Sequence, residues 1–151
     1  MPRTAPIALA AAAALALSGS ALAADASPAP AHCDYSVKKT VSFATAKRKG
    51  IPVTVTCDGP ARVSSIFMLT GKPERDWDER YRNVRNPPES VPHPTDVTAG
   101  QAATTRVTLT RNAARFLSRY PQVRVRVLLG VQPPGKRYFD SIDSGKLVTL
   151  R

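Results

Sequence analysis

The sequence predicts an all-β protein, built as an antiparallel β-sandwich of about seven strands with one short helix and one long loop. Short segments alternate apolar and polar residues with a period of two, as strands with one buried face do. Turn-forming residues separate these segments, and no long amphipathic helical pattern is present. Together these observations favour two packed antiparallel sheets over a helical or mixed α/β fold.

Residues 1–23 have the three parts of a secretory signal. Arg3 supplies a positive start, 7–17 is an unbroken apolar run, and small residues at 21–23 flank an expected cleavage site. The apolar run is shorter than the roughly 18 residues that a membrane-spanning helix needs. We therefore expect a secreted, extracytoplasmic protein with no transmembrane segment after the signal is removed.

The rest of the chain divides into a leader and one domain. Residues 24–32 are rich in Ala and Pro and predict a flexible leader, and 33–151 form the β-sandwich domain. The domain contains two cysteines, Cys33 and Cys57, and an even count in an oxidising compartment favours pairing. Such a bridge stabilises the fold by about 3–4 kcal/mol in the loop-entropy description. A free thiol or a metal-ligand pair is the weaker alternative, because no Cys-x-x-Cys spacing is present.

The first half of the domain contains three strand candidates. The clearest is 51–57, in which Val and Cys alternate with Thr, and weaker patterns cover 35–43 and 62–70. Between the first two, the basic segment 44–49 predicts a short helix or turn that ends at Gly50.

The C-terminal third is also strongly patterned. Strand patterns cover 106–110, 122–127 and 146–150, with a weaker return at 138–139. A short helix is predicted between the first two, with Asn112 as its N-cap and Pro121 after its end. Its apolar face consists of Ala113, Phe116, Leu117 and Tyr120.

Residues 71–100 differ from their surroundings. They interleave acidic and basic side chains and contain four prolines between positions 87 and 94. This composition predicts a long loop insertion, and loops of such length are often functional or disordered.

Three motifs resemble small secreted immunoglobulin-like domains of bacterial proteins. They are the Val-x-Val-x-Cys strand at 53–57, the Leu-Thr-Arg-x-Ala linker at 109–117, and the Val-Arg-Val-Arg-Val strand at 123–127. The resemblance covers most of the domain except 71–100, and it implies an immunoglobulin-like sandwich without implying an active site. The sequence departs from antibody-type domains because Trp77 lies outside the interval between the two cysteines.

Catalytic patterns are weak. His93, between two prolines, has Ser90 and Asp96 nearby in sequence, but no Gly-x-Ser-x-Gly elbow surrounds a serine. Asp76 and Asp78 flank Trp77 and resemble a glycosidase pair, yet neighbouring arginines make mutual ion pairing the simpler interpretation. We expect no catalytic residue, no metal and no cofactor.

Positive charge is the main functional signal. The chain has a formal net charge of +11, and residues 101–151 contain ten Lys or Arg against two Asp. Strand alternation predicts that the side chains of Arg106, Arg124 and Arg126 point away from the core. If the two strands are neighbours, these residues form an exposed arginine stripe for an anionic partner. The alternative is ordinary polar decoration of a half-exposed sheet.

A second binding candidate lies in the predicted loop. Trp77, Tyr81 and Arg80 are of the residue types that dominate interface energetics. The alternative is that these aromatic side chains pack against the sandwich and bind nothing.

These features predict a non-enzymatic accessory or binding protein at the cell envelope. Its expected partner is an anionic envelope polymer or another secreted protein. Nucleic acid is an unlikely partner because no nucleic-acid-binding module is recognisable. Two alternatives stay open, a small secreted hydrolase with a site in residues 74–96 and a purely structural domain.

Overall fold

The structure, a computed structural model, describes residues 31–82, 89–133, 135–141 and 145–151. The predicted secretory signal at 1–23 and the first part of the leader, 24–30, lie outside the described residues. None of the helices within the described ranges is long and apolar enough to cross a membrane.

The described residues form ten strands and three helices. The helices are α1 (Phe43–Lys49), α2 (Lys72–Tyr81) and α3 (Arg111–Leu117). The strands are β1 (Cys33–Val37), β2 (Thr40–Val41), β3 (Ile51–Cys57), β4 (Ala61–Leu69), β5 (Ser90–His93), β6 (Thr95–Val97), β7 (Ala103–Leu109), β8 (Val123–Gln132), β9 (Asp140–Ser141) and β10 (Lys146–Leu150). The predicted β-rich class is confirmed, although the prediction of about seven strands and one helix was too low for both.

The strands form two sheets. The four-stranded sheet has the order β1-β3-β7-β5, and the larger sheet has the order β2-β10-β8-β4-β6 with β9 also paired to β8. Strand pairs are antiparallel throughout these sheets except for β2 and β10, which run parallel. Buried side chains from both sheets and from the helices belong to one hydrophobic core.

The clearest sequence pattern gives the clearest strand. In β3 the side chains of Val53 and Val55 are fully buried, while those of Thr54 and Thr56 are exposed, as the alternation predicts. Cys57 at its end lies directly opposite Cys33 of β1 and forms a disulfide with it. The predicted bridge is therefore confirmed.

In its described parts, 71–82 and 89–100, the segment predicted to be a long loop is largely regular structure, and 83–88 lie outside the described residues. It contains α2, β5 and β6. Pro73 lies in the first turn of α2, where a missing N–H costs nothing, and Pro92 lies in β5, an edge strand that tolerates proline. The prediction was wrong because charged residues cover the exposed side of α2 and conceal one fully buried anchor, Trp77.

The helix predicted near Asn112 is α3, but its N-cap is a different residue. The Oγ1 atom of Thr110 accepts a hydrogen bond from the backbone N–H of Ala113 at 3.1 Å. Asn112 is exposed inside the first turn, so its assignment as the cap was wrong. The predicted apolar face is confirmed for Ala113, Phe116 and Leu117, which are buried, whereas Tyr120 is half-buried and lies past the end of α3.

Candidate binding surfaces

The structure separates the three arginines of the predicted stripe. Arg124 and Arg126 are exposed on β8, and Arg106 is exposed on β7. Because β7 and β8 belong to different sheets, these side chains do not form one stripe. Alternation correctly predicts which side chains leave the core, but it does not say which strands are neighbours.

The two arginines on β8 lie among apolar side chains. Across the strand pairs, Arg126 lies opposite Met68 of β4 on one side and opposite Leu147 of β10 on the other. Met68 is 46% exposed and Leu147 is 54% exposed, so this outward sheet face is partly apolar. It differs from the polar stripe that the sequence predicts.

Arg106 has strongly basic neighbours from α1. Its Nη1 atom donates a hydrogen bond to the backbone carbonyl of Lys49 at 3.3 Å. A shallow groove of about 340 Å³ lies here, lined by Arg48, Lys49, His93, Thr95, Thr104, Arg106 and Thr108. The Nε2 atom of His93 lies 3.1 Å from the hydroxyl of Thr108. Basic groups and hydroxyls therefore line this groove without a carboxylate among them.

A second basic groove is also lined by a residue of α1, Lys47. Its volume is about 590 Å³, and its lining residues are Lys47, Leu109, Arg111, Ala114, Arg115 and Ser118. Lys47 precedes Arg48 on α1, so the two grooves share the end of that helix. We call their basic side chains together the α1 basic surface, which consists of Lys47, Arg48, Lys49, His93, Arg106, Arg111 and Arg115.

Gly50 brings the end of α1 close to β7. Its φ is +77°, a conformation that side-chain-bearing residues rarely adopt. A Cβ atom placed there would lie 2.8 Å from Cγ2 of Thr108 and 2.9 Å from the carbonyl oxygen of Val107. The absence of a side chain thus allows the approach that places α1 beside Arg106.

Within the described part of the chain, no direct ion pair neutralises the positive charge of the α1 basic surface. Among the described residues, the ion pairs are Arg62–Asp96 at 3.9 Å and Lys72–Asp76. Neither pair involves a member of this surface. The helix dipole offsets part of the repulsion, because the last turn of a helix favours cations. The surface is therefore a concentrated positive field open to an anionic ligand.

The predicted aromatic surface on 71–100 is mainly a packing cluster. Trp77 is fully buried, with its ring centroid 4.6 Å from that of Tyr81 and 5.1 Å from that of Phe116. Tyr81 is half-buried, and the guanidinium of Arg80 lies 5.9 Å from its ring centroid. Trp77 thus packs against the sandwich, as the alternative interpretation of this segment expects, whereas Arg80 remains exposed.

The residues considered for hydrolysis form two groups: Asp76 and Asp78 lie on α2, whereas Ser90, His93 and Asp96 lie on β5 and β6. Asp76, on α2, accepts hydrogen bonds from Lys72 and Tyr120, and these bonds hold the pKa of its carboxyl below the usual value. His93 lies on β5, against Thr108 of β7. Burial raises the pKa of Glu89, with smaller contributions from the charges of Asp78 and Glu74. Over the described ranges, no group of three or more His, Cys, Asp or Glu is placed to hold a metal ion.

Sequence reasoning did not assign most of the α1 basic surface as a binding site. Its signals were present, since 44–49 is a basic segment and Arg111 and Arg115 belong to the basic C-terminal third. These two stretches are about sixty residues apart in the chain. Only the pairing of β3 with β7 brings them together.

Comparison with known proteins adds no assignment. No protein-family model matches the chain. No curated protein matches its sequence either. The features of the chain that bear on its function are therefore the geometry and charge of the two basic grooves and of the sheet faces.

Proposed function

We propose that this chain is an exported, non-enzymatic binding protein with an immunoglobulin-like sandwich, and that it binds an anionic polymer at the cell envelope. The observation that carries the proposal is the α1 basic surface. Six Lys or Arg side chains and His93 line two grooves that share residues of α1, and neither lining includes a carboxylate. A surface of this kind attracts an anionic chain through charge neutralisation and release of its counterions.

The shape of the surface favours a polymer over a single small anion. Consecutive residues of α1 line the two grooves, Lys47 the second and Arg48 and Lys49 the first, so a chain that crosses the end of this helix meets basic side chains of both. Three threonines line the first groove; the hydroxyls of Thr95 and Thr108 bond to His93, and the exposed Thr104 offers a hydroxyl donor for an oxyanion. All six Lys and Arg side chains are exposed, so binding of a polymer requires little rearrangement.

The envelope location is supported by the N-terminal pattern and by the disulfide. Residues 1–23 have the features of a secretory signal, and the Cys33–Cys57 bridge is typical of proteins that function in an oxidising compartment. Anionic polymers available there are more plausible partners than intracellular nucleic acid.

The non-enzymatic part of the proposal is supported by the roles of the candidate catalytic residues. Asp76 joins α2 to Tyr120, and its hydrogen-bonded carboxyl is already engaged with two partners. His93 belongs to the basic groove, beside Arg106, its cross-strand neighbour. Each therefore has a role that needs no hydrolytic chemistry.

The test is the salt dependence of binding to immobilised polyphosphate. The logarithm of the binding constant of the wild type should fall linearly with the logarithm of salt concentration. The double variant Arg106→Ser/Arg111→Ser should reduce the slope by about 0.7 for each phosphate that the protein no longer neutralises.

The matched control is Arg124→Ser/Arg126→Ser, which removes the same charge from the other sheet and should keep the wild-type slope. Both pairs are exposed, so their replacement should leave the fold intact. Binding that does not weaken with salt would contradict the proposal. So would equal losses of affinity in the two double variants, because they would show a net-charge effect without a site.

A further inference from the structure

The outward face of the larger sheet exposes apolar side chains on neighbouring strands. Ile66 is 42% exposed, Met68 is 46% exposed and Leu147 is 54% exposed. They belong to β4 and β10, which lie on either side of β8. Exposed apolar side chains grouped on one sheet face are a common mark of an interaction site.

An apolar cleft adjoins these side chains. Its volume is about 210 Å³, and its lining residues are Ser64, Ile66, Pro92, Pro94, Leu128, Leu129, Gly130 and Phe139. Ile66 and Leu128 are cross-strand partners, so the cleft continues directly into the exposed face. Gly130 makes room for its wall, because a Cβ atom there would lie 2.9 Å from Cβ of Phe139. The cleft is large enough for one large apolar side chain.

Two arginines lie beside the apolar side chains. Arg126 is flanked by Met68 and Leu147, and Arg124 lies two residues before it on the same strand face. Neither takes part in the ion pairs Arg62–Asp96 and Lys72–Asp76 of the described residues. A ligand that fits this surface must therefore present apolar and anionic groups together.

We propose that this surface docks an acidic peptide segment of a partner protein. We call it the β8 face and define it by Ile66, Met68, Arg124, Arg126, Leu128 and Leu147. The peptide places one large apolar side chain in the cleft and sets its carboxylates against the two arginines. The β8 face contains no member of the α1 basic surface, and its occupant differs in chemistry from a polymer that has only charge.

The charge of the face argues against a second copy of the chain as the occupant. A two-fold contact places the same surface on both sides, which would bring the arginines of two copies into one interface without added carboxylates. The net charge of +11 adds to this repulsion. The cleft is concave, so it fits an inserted side chain better than it fits the flat surface of a bilayer.

The experiment is selection from a random peptide library displayed on phage. The wild type is the selection target. The variant Ile66→Ser/Leu147→Ser is the counter-target, and phage that bind it are discarded because their peptides bind elsewhere on the protein. Enriched peptides should combine an aromatic or large aliphatic residue with at least two Asp or Glu. A synthetic peptide of the enriched sequence should bind Arg124→Ser/Arg126→Ser at least about tenfold more weakly, the loss expected for about 1.4 kcal/mol.

The control is Val91→Ser, since Val91 is 42% exposed on the other sheet and should keep full affinity. Failure to enrich any peptide over the counter-target overturns the proposal, as does enrichment of peptides without acidic residues. A concentration-dependent dimer that disappears in Ile66→Ser/Leu147→Ser would identify a second copy as the occupant and overturn it. If the wild type binds phosphatidylglycerol vesicles and that variant does not, the occupant is a membrane and the proposal is overturned. Polyphosphate binding should be unchanged in Ile66→Ser/Leu147→Ser, which separates this test from that of the α1 basic surface.

Discussion

The hydroxyl of Tyr120 donates a hydrogen bond to Oδ2 of Asp76, a residue 44 positions earlier in the chain. Lys72 donates to the same oxygen from one turn earlier on α2. Beside these bonds, the ring of Trp77 meets that of Phe116 nearly edge-on, at 81°. Polar and aromatic contacts thus join α2 to α3 and the residues that follow it.

The first prediction concerns the stability of the protein at alkaline pH. Burial and the hydrogen bond to Asp76 raise the pKa of Tyr120 from 10.0 to about 12. A raised pKa means that the folded state favours the neutral phenol, so its contribution to stability is complete below pH 10. That contribution is lost as the pH rises from about 10 to about 12. Tyr120→Phe should therefore be less stable than the wild type at neutral pH, and the difference should shrink across this interval.

Urea unfolding at a series of pH values measures this difference. Tyr138→Phe is the control, because Tyr138 is 55% exposed and its replacement should leave the alkaline profile unchanged. A constant difference between the wild type and Tyr120→Phe from pH 9 to pH 12 would show that the raised pKa does not contribute to stability.

The second prediction tests the N-cap of α3. Thr110→Ala removes the hydroxyl that accepts from the N–H of Ala113, and it should lower the free energy of unfolding by about 1 kcal/mol. Asn112→Ala, two residues later on the exposed surface, should change it by less than about 0.5 kcal/mol. Chemical denaturation of the two variants decides between the caps, and a larger loss in Asn112→Ala would reverse the assignment.

The third prediction concerns the approach of α1 to β7. Gly50→Ala introduces a Cβ atom 2.9 Å from the backbone oxygen of Val107 and also imposes a positive φ on alanine. We expect a loss of about 2–4 kcal/mol, the sum of backbone strain and a steric displacement. The matched control is Gly71→Ala, which has a φ of +72° but nothing within 4 Å, so it should lose only the strain of about 1–2 kcal/mol.

Polyphosphate affinity provides a second measurement on the same two variants. Gly50→Ala should also bind more weakly, because displacement of α1 separates Lys49 from Arg106. Gly71→Ala should bind like the wild type. Equal stability losses in the two variants would show that α1 can move away from β7 without cost.

Local sequence patterns were sufficient for several features of the fold. The alternation of Val and Thr predicted β3 and its buried side, and Gly50 marked the end of α1. The cysteine count in a chain with a signal pattern predicted the Cys33–Cys57 bridge. The strand and the helix end depend on residues that are neighbours in sequence, and two cysteines allow only one disulfide pairing.

Features that depend on distant contacts could not be predicted in this way. The position of Arg106 relative to Arg124 depends on which sheet each strand joins, and alternation carries no information about that choice. Likewise, α2 is mostly charged, and it packs through Trp77 against Phe116, a residue almost forty positions later. The α1 basic surface is of the same kind, because it exists only after β3 pairs with β7.

The pairing of β2 with β10 has a consequence for the order of folding. Thr40 pairs with Thr149, and the N–H of Thr149 donates to the carbonyl of Lys39. One edge of the larger sheet therefore joins a segment that the ribosome synthesises early to one that it synthesises last. Until residues 146–150 emerge, that side of β8 has no partner and presents unpaired backbone groups. Closing such a wide separation is slow in proteins rich in non-local contacts. The larger sheet is therefore completed late, and until then β8 is the strand to protect from aggregation.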